Sequence, residues 1–356
     1  MNWLKTSLTE RLQIRYPLIQ APMADGITTP ELVAAVSNAG GLGGLAASAW
    51  DPEELRAAII AIRELTDKPF AVNLSIPESV TEDTSQIEHA KALLAPYREA
   101  LGLSRTELAT YQLPTFAEQL AVILEEQVAV FSFTFGVPKP EDVAALKENN
   151  IITLGTATHL LEAILLEESG IDMIVAQGAE AGGPRGTFLG TPEQGLVGCI
   201  ALIPLLVNHI RVPIIAAGGI MDGRGISAAL TLGAAGVQMG TAFLACPESG
   251  AHPKYKELLA EGTEITTVLT RVFSGKLARS LKNRFISEMQ TCEAELPGYP
   301  FQQFLTQAIC AAAIQQERPE FMALWAGQGC ALCTSKPAAE LLKTWFGQVW
   351  EILGRD

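Results

Sequence analysis

Charged residues are scarce in this 356-residue sequence, and basic residues are the scarcer kind. Asp, Glu, Lys and Arg make up 18% of the chain, with 25 Lys and Arg against 39 Asp and Glu, which gives a formal net charge of −14. No segment is rich in lysine or arginine. Because a phosphate backbone or an anionic lipid surface needs a basic patch, the sequence predicts neither nucleic acid nor a membrane as a partner.

Long apolar runs are also lacking. The longest, "GLVGCIALIPLLV" at 195–207, contains Pro204 and is shorter than the about 20 residues that a membrane-spanning helix needs. The first residues, "MNWLKTSLTERLQIRYP", contain no apolar segment of the kind found in signal peptides. Six cysteines are scattered without a regular spacing, which is typical of a reducing compartment. We therefore expect a cytoplasmic location.

One cysteine pair has the spacing of a metal or redox motif. Cys330 and Cys333 form "CALC", but no second pair and no histidine stands nearby. A zinc or redox site needs such companions, whereas free cysteines are more often small buried side chains. The second interpretation is favoured, and no metal is predicted.

A hydrolase constellation is missing too, since the four histidines are scattered and no Ser-His-Asp or Cys-His set stands out. Short β-branched runs instead alternate with helical stretches, an order that requires a parallel sheet. Eight such units in about 240 residues favour a closed (β/α)8 TIM barrel over an open sheet. The predicted strands are 17–23, 42–48, 69–75, 128–136, 151–157, 172–178, 212–219 and 235–241.

The remaining segments do not follow this alternation. Residues 76–113 predict a loop insertion after strand three, with a helical middle. Residues 245–335 contain helical stretches broken by proline and predict a helical cap that holds the substrate region. Residues 336–356 predict a closing helix on the barrel, which leaves 1–244 as the barrel itself.

The distinctive residues collect after the predicted strands, where barrel enzymes place their active sites. The glycine turns Gly218-Gly219 and Gly240-Thr241 follow strands seven and eight, the usual phosphate loops of such barrels. Asn73 and Gln177 end strands three and six, and each amide offers a donor and an acceptor that could bind the polar edge of a flavin. These loops together predict a ligand pocket.

Several segments carry a family resemblance. "QAPMADGITTPELVAAVSNAGGLGGLA", "VNLS", "FSFTFGVP", "AQGAEAGG-RG" and "AAGGIMDGRGISAALTLGAAGVQMGTAF", with "CPES", "LPGYPF" and "WAGQG" in the cap, are similar to nitronate monooxygenases of the class I branch. The resemblance implies an FMN enzyme that oxidises alkyl nitronates with O2 to carbonyl compounds and nitrite. It implies FMN contacts at Ala21, Pro22, Met23, Asn73, Gln177, Gly182, Gly183, Gly218, Gly219, Gln238, Met239, Gly240 and Thr241.

The sequence departs from the family at the substrate side. The segment that usually reads "EAGGHRG", with a catalytic histidine, has Pro184 at that position. Thr134 stands where some relatives have another histidine, and Gln303 and Gln307 stand where relatives often have tyrosine and lysine. The resemblance implies that Thr134, Pro184 and Tyr299 line the substrate space. His159, after strand five, is either a substitute catalytic group or an exposed side chain at the start of its helix.

Three functions remain open on this evidence. The first is nitronate oxidation by an FMN enzyme. The second is an NAD(P)H-dependent FMN reductase of quinones or enoyl thioesters, the activity of sister branches of the superfamily. The third, suggested by the missing histidine, is a flavin-binding protein with reduced catalysis. The expected partners are O2 and a small-molecule substrate, and the sequence does not predict an oligomeric state.

Overall fold

The computed structural model describes residues 3–78, 83–104 and 115–354. Eight parallel strands form the main sheet, in the order β1-β9-β8-β6-β5-β4-β3-β2. The Gln20 N–H donates to the Leu42 carbonyl at 2.8 Å, and the Leu42 N–H donates to the Leu18 carbonyl at 2.9 Å. These bonds join the first and last strands of the sheet, which confirms the predicted barrel. The eleven strands are β1 (Leu18–Gln20), β2 (Gly43–Ala46), β3 (Phe70–Ser75), β4 (Val130–Thr134), β5 (Ile152–Ala157), β6 (Met173–Gln177), β7 (Gly183–Pro184), β8 (Ile214–Ala217), β9 (Gly236–Met239), β10 (Thr267–Thr270) and β11 (Ala278–Leu281).

The helices begin where the sequence carries capping residues. Thr29 caps one helix with Pro30 in its first turn, and Asp51 forms a capping box with Glu54 in the next. The helices are α1 (Ser7–Leu12), α2 (Pro30–Asn38), α3 (Pro52–Leu65), α4 (Thr84–Ala100), α5 (Phe116–Glu125), α6 (Pro140–Glu148), α7 (Leu160–Glu168), α8 (Cys199–His209), α9 (Gly223–Thr231), α10 (Pro253–Ala260), α11 (Arg284–Met289), α12 (Phe301–Gln315) and α13 (Ala338–Leu353).

One predicted helix boundary was wrong. The sequence predicts a helix over 193–210, but α8 begins at Cys199 with Gly198 as its cap. Residues 191–196 form turns instead, in which the Gln194 N–H donates to the Thr191 carbonyl at 3.0 Å. Glycines at 195 and 198 favour this shorter helix, because glycine costs conformational entropy inside a helix.

The side chains that point into the barrel become more polar toward the carboxyl-terminal ends of the strands. Every second residue of a strand points inward. An apolar layer near the strand starts includes Ala71, Val130, Leu154, Val175 and Ile215. Two residues further along the same strands, the inward positions hold polar side chains or a small one: Asn73, Ser132, Thr156, Gln177 and Ala217. The carboxyl-terminal end of the barrel is therefore polar inside.

The cap contains strands as well as helices. β10 pairs with β11, and β11 pairs with β7 of the barrel loop, all antiparallel. The predicted helical cap therefore missed a three-stranded sheet, because β10 and β11 are too short to show a period and the β7 partner of β11 lies about 95 residues earlier in the sequence. This sheet attaches the loop that contains Pro184 to the cap.

The insertion and the C-terminal helix both pack on neighbouring elements. α4 lies in the predicted insertion and shares an apolar cluster with α12 of the cap, whereas 79–82 and 105–113 of the insertion lie outside the described residues. α13 packs between α9 and α2, where it takes the position of the eighth barrel helix. Tyr16 stacks on Phe346 of α13 with ring centroids 4.1 Å apart. Among the described helices, none has the length and apolar character to cross a membrane.

Candidate active site

The two glycine turns predicted to bind phosphate lie side by side. β8 and β9 are neighbours with Ala217 opposite Gln238, so Gly218-Gly219 and Gly240-Thr241 follow at the same edge of the barrel. Gly218 and Gly219 have φ values of 113° and 69°, a backbone region that favours glycine. In the described part of the chain, the N–H groups of Gly219, Gly240 and Thr241 have no hydrogen-bond acceptor. Unpaired backbone amides on neighbouring turns are donors of the kind that bind an anion such as a phosphate.

The helix after the first turn does not provide the anion site itself. The N-terminus of α9 is capped by Asp222, whose carboxylate accepts from the Arg224 N–H at 2.9 Å. Arg224 in turn holds the pKa of Asp222 below its usual value through a side-chain hydrogen bond, against an opposing effect of burial. A carboxylate at this helix end disfavours a second anion there, so the turn amides are the donors that remain available to an anion.

A segment of the cap, Trp325–Gly329, covers this edge of the barrel. The Gly327 N–H donates to the Thr241 hydroxyl at 3.0 Å, and the Gln328 N–H donates to the Glu180 carbonyl at 2.9 Å. A Cβ at Gly182 would lie 2.6 Å from the backbone of this segment. Only glycine allows the two backbones to approach so closely, which explains the glycines of "EAGGP" and "WAGQG" at these points.

The residues expected around a flavin ring lie next to the glycine turns. A Cβ at Gly240 would lie 3.3 Å from the Ala21 Cβ and 3.7 Å from the Met23 sulfur. The Asn73 Nδ2 donates to the Ser132 hydroxyl at 3.0 Å, which leaves its carbonyl oxygen available. Gln238 is half-buried on the inward side of β9, and its side chain has no hydrogen bond within the described residues.

Gln177 has hydrogen-bond partners within the protein that the sequence did not indicate. Its Nε2 donates to the Pro184 carbonyl at 3.2 Å, and its Oε1 accepts from the Gly186 N–H at 2.8 Å. The side chain therefore holds the Pro184 loop in place, and one N–H of the amide remains for a ligand.

Two buried arginines and a buried glutamate fix the loop that follows β6. Arg185 donates to the carbonyls of Gln177, Gly178 and Gly195, and Arg279 donates to the Ala179 carbonyl. Burial lowers the pKa of Arg185 to about 10, with the neighbouring Arg279 as a smaller cause. Glu162, fully buried on α7, accepts from the Phe188 N–H at 2.6 Å. No motif in the sequence indicated these three residues, although the first lies in "PRG" beside Pro184.

The predicted substrate residues Thr134, Pro184 and Tyr299 lie along one wall of the mouth of the barrel. Thr134 ends β4, and the ring of the next residue, Phe135, lies 6.3 Å from the ring of Tyr299. Pro184 in β7 pairs with Ala278 of β11. Lys276, two residues before Ala278, has its Nζ 4.3 Å from the Phe135 ring centroid and 5.2 Å from that of Tyr299. Lys276 therefore joins this wall, and no sequence motif indicated it.

His159 lies at the N-cap of α7, with its side chain 18% exposed. Its Nε2 contacts the Leu189 carbonyl at 3.0 Å and lies 3.5 Å from a carboxylate oxygen of Glu162. Since a carbonyl only accepts, this nitrogen carries the proton. The ring therefore rests on the back of the loop that follows β6, and its assignment as a catalytic group stays a prediction.

A carboxyl group that the sequence analysis did not single out, Asp25, lies two residues after Met23. Its Oδ2 accepts from the Trp325 Nε1–H at 3.3 Å, and its φ of 60° is in the left-handed region. The residue is exposed, yet the surrounding protein desolvates the carboxyl and raises its pKa, with the Trp325 hydrogen bond opposing that rise. Both properties together are expected on the wall of a deep cleft, where solvent reaches a group that protein atoms largely surround.

Asp25 offers a first test of the electrostatics of this cleft. Its neighbours Tyr255 and Cys310 both have a raised pKa, about 12 for Cys310, so they are uncharged at neutral pH and do not compensate the carboxylate. When the pKa of a carboxyl group is higher in the folded than in the unfolded protein, low pH favours the folded state. This contribution to stability is fully present below the unfolded pKa and is lost as pH rises through the folded pKa. We therefore expect Asp25→Asn to melt at a higher temperature than the wild type at pH 7.

Asn keeps the shape of Asp and also tolerates a positive φ, so the substitution removes the charge alone. The pH dependence of the gain is the control for this prediction. Thermal melts of both proteins at successive pH values measure the difference. The gain should shrink as pH falls and disappear below the ordinary value of 3.8. A variant that is less stable at pH 7, or a gain that is constant with pH, contradicts the desolvated carboxylate.

The cysteines of "CALC" have structural surroundings. Cys333 donates from its sulfur to the Thr241 carbonyl at 3.2 Å, and Cys330 is buried. Burial raises the pKa of Cys333 to about 12 and also raises that of Cys330, so both thiols are protonated at neutral pH and unreactive. Among the described residues, no cluster of three or more His, Cys, Asp or Glu side chains could hold a metal.

Known proteins resemble this chain over nearly its full length. The profile of the nitronate monooxygenase family matches residues 5–346. A "Probable nitronate monooxygenase" of Staphylococcus aureus (strain JH9) is 45% identical over 352 residues, 99% of each chain. The crystal structure of nitroalkane oxidase from Streptomyces ansochromogenes superimposes with a TM-score of 0.89 at 38% identity, covering 97% of this chain and 98% of that one. FabK from Thermotoga maritima superimposes with a TM-score of 0.77 at 30% identity, covering 98% and 97%.

These matches agree with the resemblance seen in the motifs, and they include the cap as well as the barrel. The structural neighbours also share the barrel that the strand order indicates. The chain belongs to the nitronate monooxygenase family and is an oxidoreductase.

Proposed function

We propose that this protein binds FMN and oxidises alkyl nitronates with O2, giving carbonyl compounds and nitrite. The observation that carries the proposal is the set of unpaired amides at Gly219, Gly240 and Thr241, beside a barrel interior that turns polar at the same end. One anion cradle next to a layer of amides suits a flavin with a single phosphate. A second glycine motif for an adenylate is missing from the sequence, which favours FMN over FAD.

Three groups of residues are proposed to contact different parts of the cofactor. The turn amides bind the phosphate, while Asn73 and Gln238 bind the polar edge of the ring. Gly182 and Gly183 allow the loop after β6 to lie close to the ring, which Gln177 also reaches. Ala21, Pro22 and Met23 line its other side, near Met239 and Gly240. When bound, FMN supplies the electron acceptor for the substrate and passes those electrons to O2.

The residues of the substrate wall are suited to an anion more than to a neutral nitroalkane. A nitronate has already lost its α-proton, so its oxidation needs no general base. Pro184 has no ionisable group and no N–H, and it can neither accept a proton nor donate a hydrogen bond there. Thr134 and Tyr299 supply hydroxyl groups on the same wall, and these can orient a nitro group. His159 remains the proposed proton acceptor if a neutral nitroalkane is used.

Pro184 also supports a second candidate function. With proline where the family has its catalytic histidine, the site could serve an NAD(P)H-dependent FMN reductase of quinones or enoyl thioesters, and a flavin-binding protein with reduced catalysis is the third possibility.

Six free thiols fit a reducing compartment, so we propose a cytoplasmic location.

The test is turnover by the purified holoprotein. Propyl-2-nitronate is added in air, and O2 consumption and nitrite release are compared with free FMN at the same concentration. We expect stoichiometric nitrite at a rate well above that of free FMN. A rate equal to that of free FMN favours the flavin-binding protein instead. Flavin released by heat and separated by chromatography should be FMN, and FAD in its place contradicts the single-phosphate cradle.

A further inference from the structure

Lys276 places a cation beside Phe135 and Tyr299, on the wall that carries the proposed substrate residues. It lies in the turn between β10 and β11, and its side chain is 14% exposed. The turn is rigid: the Lys276 N–H and carbonyl both bond the Ser274 hydroxyl. Gly275 has a φ of 79°, and a Cβ there would lie 2.6 Å from the backbone of Gly298 and Tyr299. The backbone that carries the Lys276 side chain is thus restrained.

The contacts of this ammonium group leave it able to bind a further anion. Its Nζ lies over the faces of Phe135 and Tyr299, and it forms an ion pair with Glu78, whose side chain is 34% exposed. Ring faces attract the cation without using its N–H groups as a carboxylate does. An ammonium has three N–H donors, so one carboxylate partner leaves donors for another oxygen.

The negative charge of the whole chain means that a local cation would assist the binding of an anionic substrate. The formal net charge is −14, which repels an anion that approaches from solvent. The same wall contains Pro184, Thr134 and Tyr299, which offer no positive charge. Glu78 is the counter-ion of Lys276 when the site is empty of substrate, and it competes for the same donors.

We propose that Lys276 binds the anionic group of the substrate, and that Glu78 opposes this binding as an internal competitor. This inference rests on the proposed function, since it identifies how a nitronate is distinguished from the neutral nitroalkane. This role and a purely structural ion pair predict different effects when one partner is removed. If the pair only fastened the loop after β3 to the cap, removing either partner would disturb the site in the same direction.

The experiment measures anion binding and turnover in parallel. Nitrite, which has the planar NO2 group of a nitronate, is titrated into the holoprotein at constant ionic strength and followed by flavin absorbance. The variants are Lys276→Met, Lys276→Arg and Glu78→Gln. A hydrogen bond to a charged group contributes about 1.5–3 kcal/mol, so Lys276→Met should raise the Kd for nitrite about 10- to 100-fold. The KM for the nitronate should rise by a similar factor, and more than kcat falls.

The other two variants decide between the interpretations. Lys276→Arg keeps the charge and should retain most of the binding, whereas Glu78→Gln should bind nitrite more tightly than the wild type. Weaker binding in Glu78→Gln, in the same direction as Lys276→Met, overturns the proposal in favour of a structural ion pair. An unchanged Kd in Lys276→Met also overturns it. If the wild type oxidises no nitronate but nitrite binding follows the predicted order, the proposed function fails and the anion site stands.

Discussion

Gly219→Leu is expected to be purified without flavin. The side chain would project from a turn whose φ is 69°, beside Glu180, whose Cβ would lie 3.1 Å from the new Cβ. It would occupy the space in front of the unpaired amides and displace a phosphate from them. Each lost hydrogen bond to a charged group costs about 1.5–3 kcal/mol, so two lost bonds weaken flavin binding by about 100-fold or more.

The measurement is the ratio of flavin to protein after gel filtration, read from the absorbance spectrum. Gly102→Leu is the matched control, because Gly102 has a φ of 71° and a Cβ there would meet no atom of the described residues within 4 Å. Both variants carry the same backbone strain, but only one of them faces the cradle. A full complement of flavin in Gly219→Leu contradicts the phosphate site.

Pro184→His is expected to raise the turnover of neutral nitroalkanes more than that of nitronates. A nitroalkane must lose its α-proton before oxidation, and a positioned general base typically contributes about 10²–10⁴-fold to such a step. The wild type lacks a base at this position and should act poorly on nitroalkanes. The gain should appear as pH rises through the imidazole pKa of about 6.5, because only the neutral ring accepts a proton.

Steady-state kinetics on both forms of one substrate, 2-nitropropane and its nitronate, measure this effect. Pro184→Ala is the control, since it also removes the proline ring, at a stability cost of about 0.4–1 kcal/mol, but adds no base. Efficient nitroalkane oxidation by the wild type would show that another base is present. His159→Ala would then test the candidate from the sequence, and Asp25→Asn the carboxyl found in the cleft.

The barrel and the glycine turns after its last two strands could be predicted because their signals are local. Each strand is a short β-branched run before a turn, and helices such as α2 and α3 begin at residues that cap them. Gly218 and Gly219 have backbone angles that only glycine adopts easily. Such features lie within a few residues of one another, so a single sequence displays them.

The parts that were missed depend on contacts between distant segments. Lys276 reaches Phe135 and Glu78 only because β11 pairs with β7. Asp25 and Trp325 are about 300 residues apart in the sequence, and the Trp325 indole N–H donates a hydrogen bond to the Asp25 carboxylate. No periodicity or spacing indicates such pairs, since the packing of the cap on the barrel creates them. The protein partners of Gln177 were missed for the same reason, because they lie in the Pro184 loop.

Reduction of the bound flavin in the absence of O2 tests the central claim most directly. The purified protein is made anaerobic and mixed with propyl-2-nitronate, and the visible absorbance of the flavin is followed. The account predicts that the nitronate bleaches this absorbance, and that admitting O2 restores it with release of nitrite. An unchanged spectrum with the nitronate, together with bleaching by NADH or NADPH, would contradict nitronate oxidation and support the reductase.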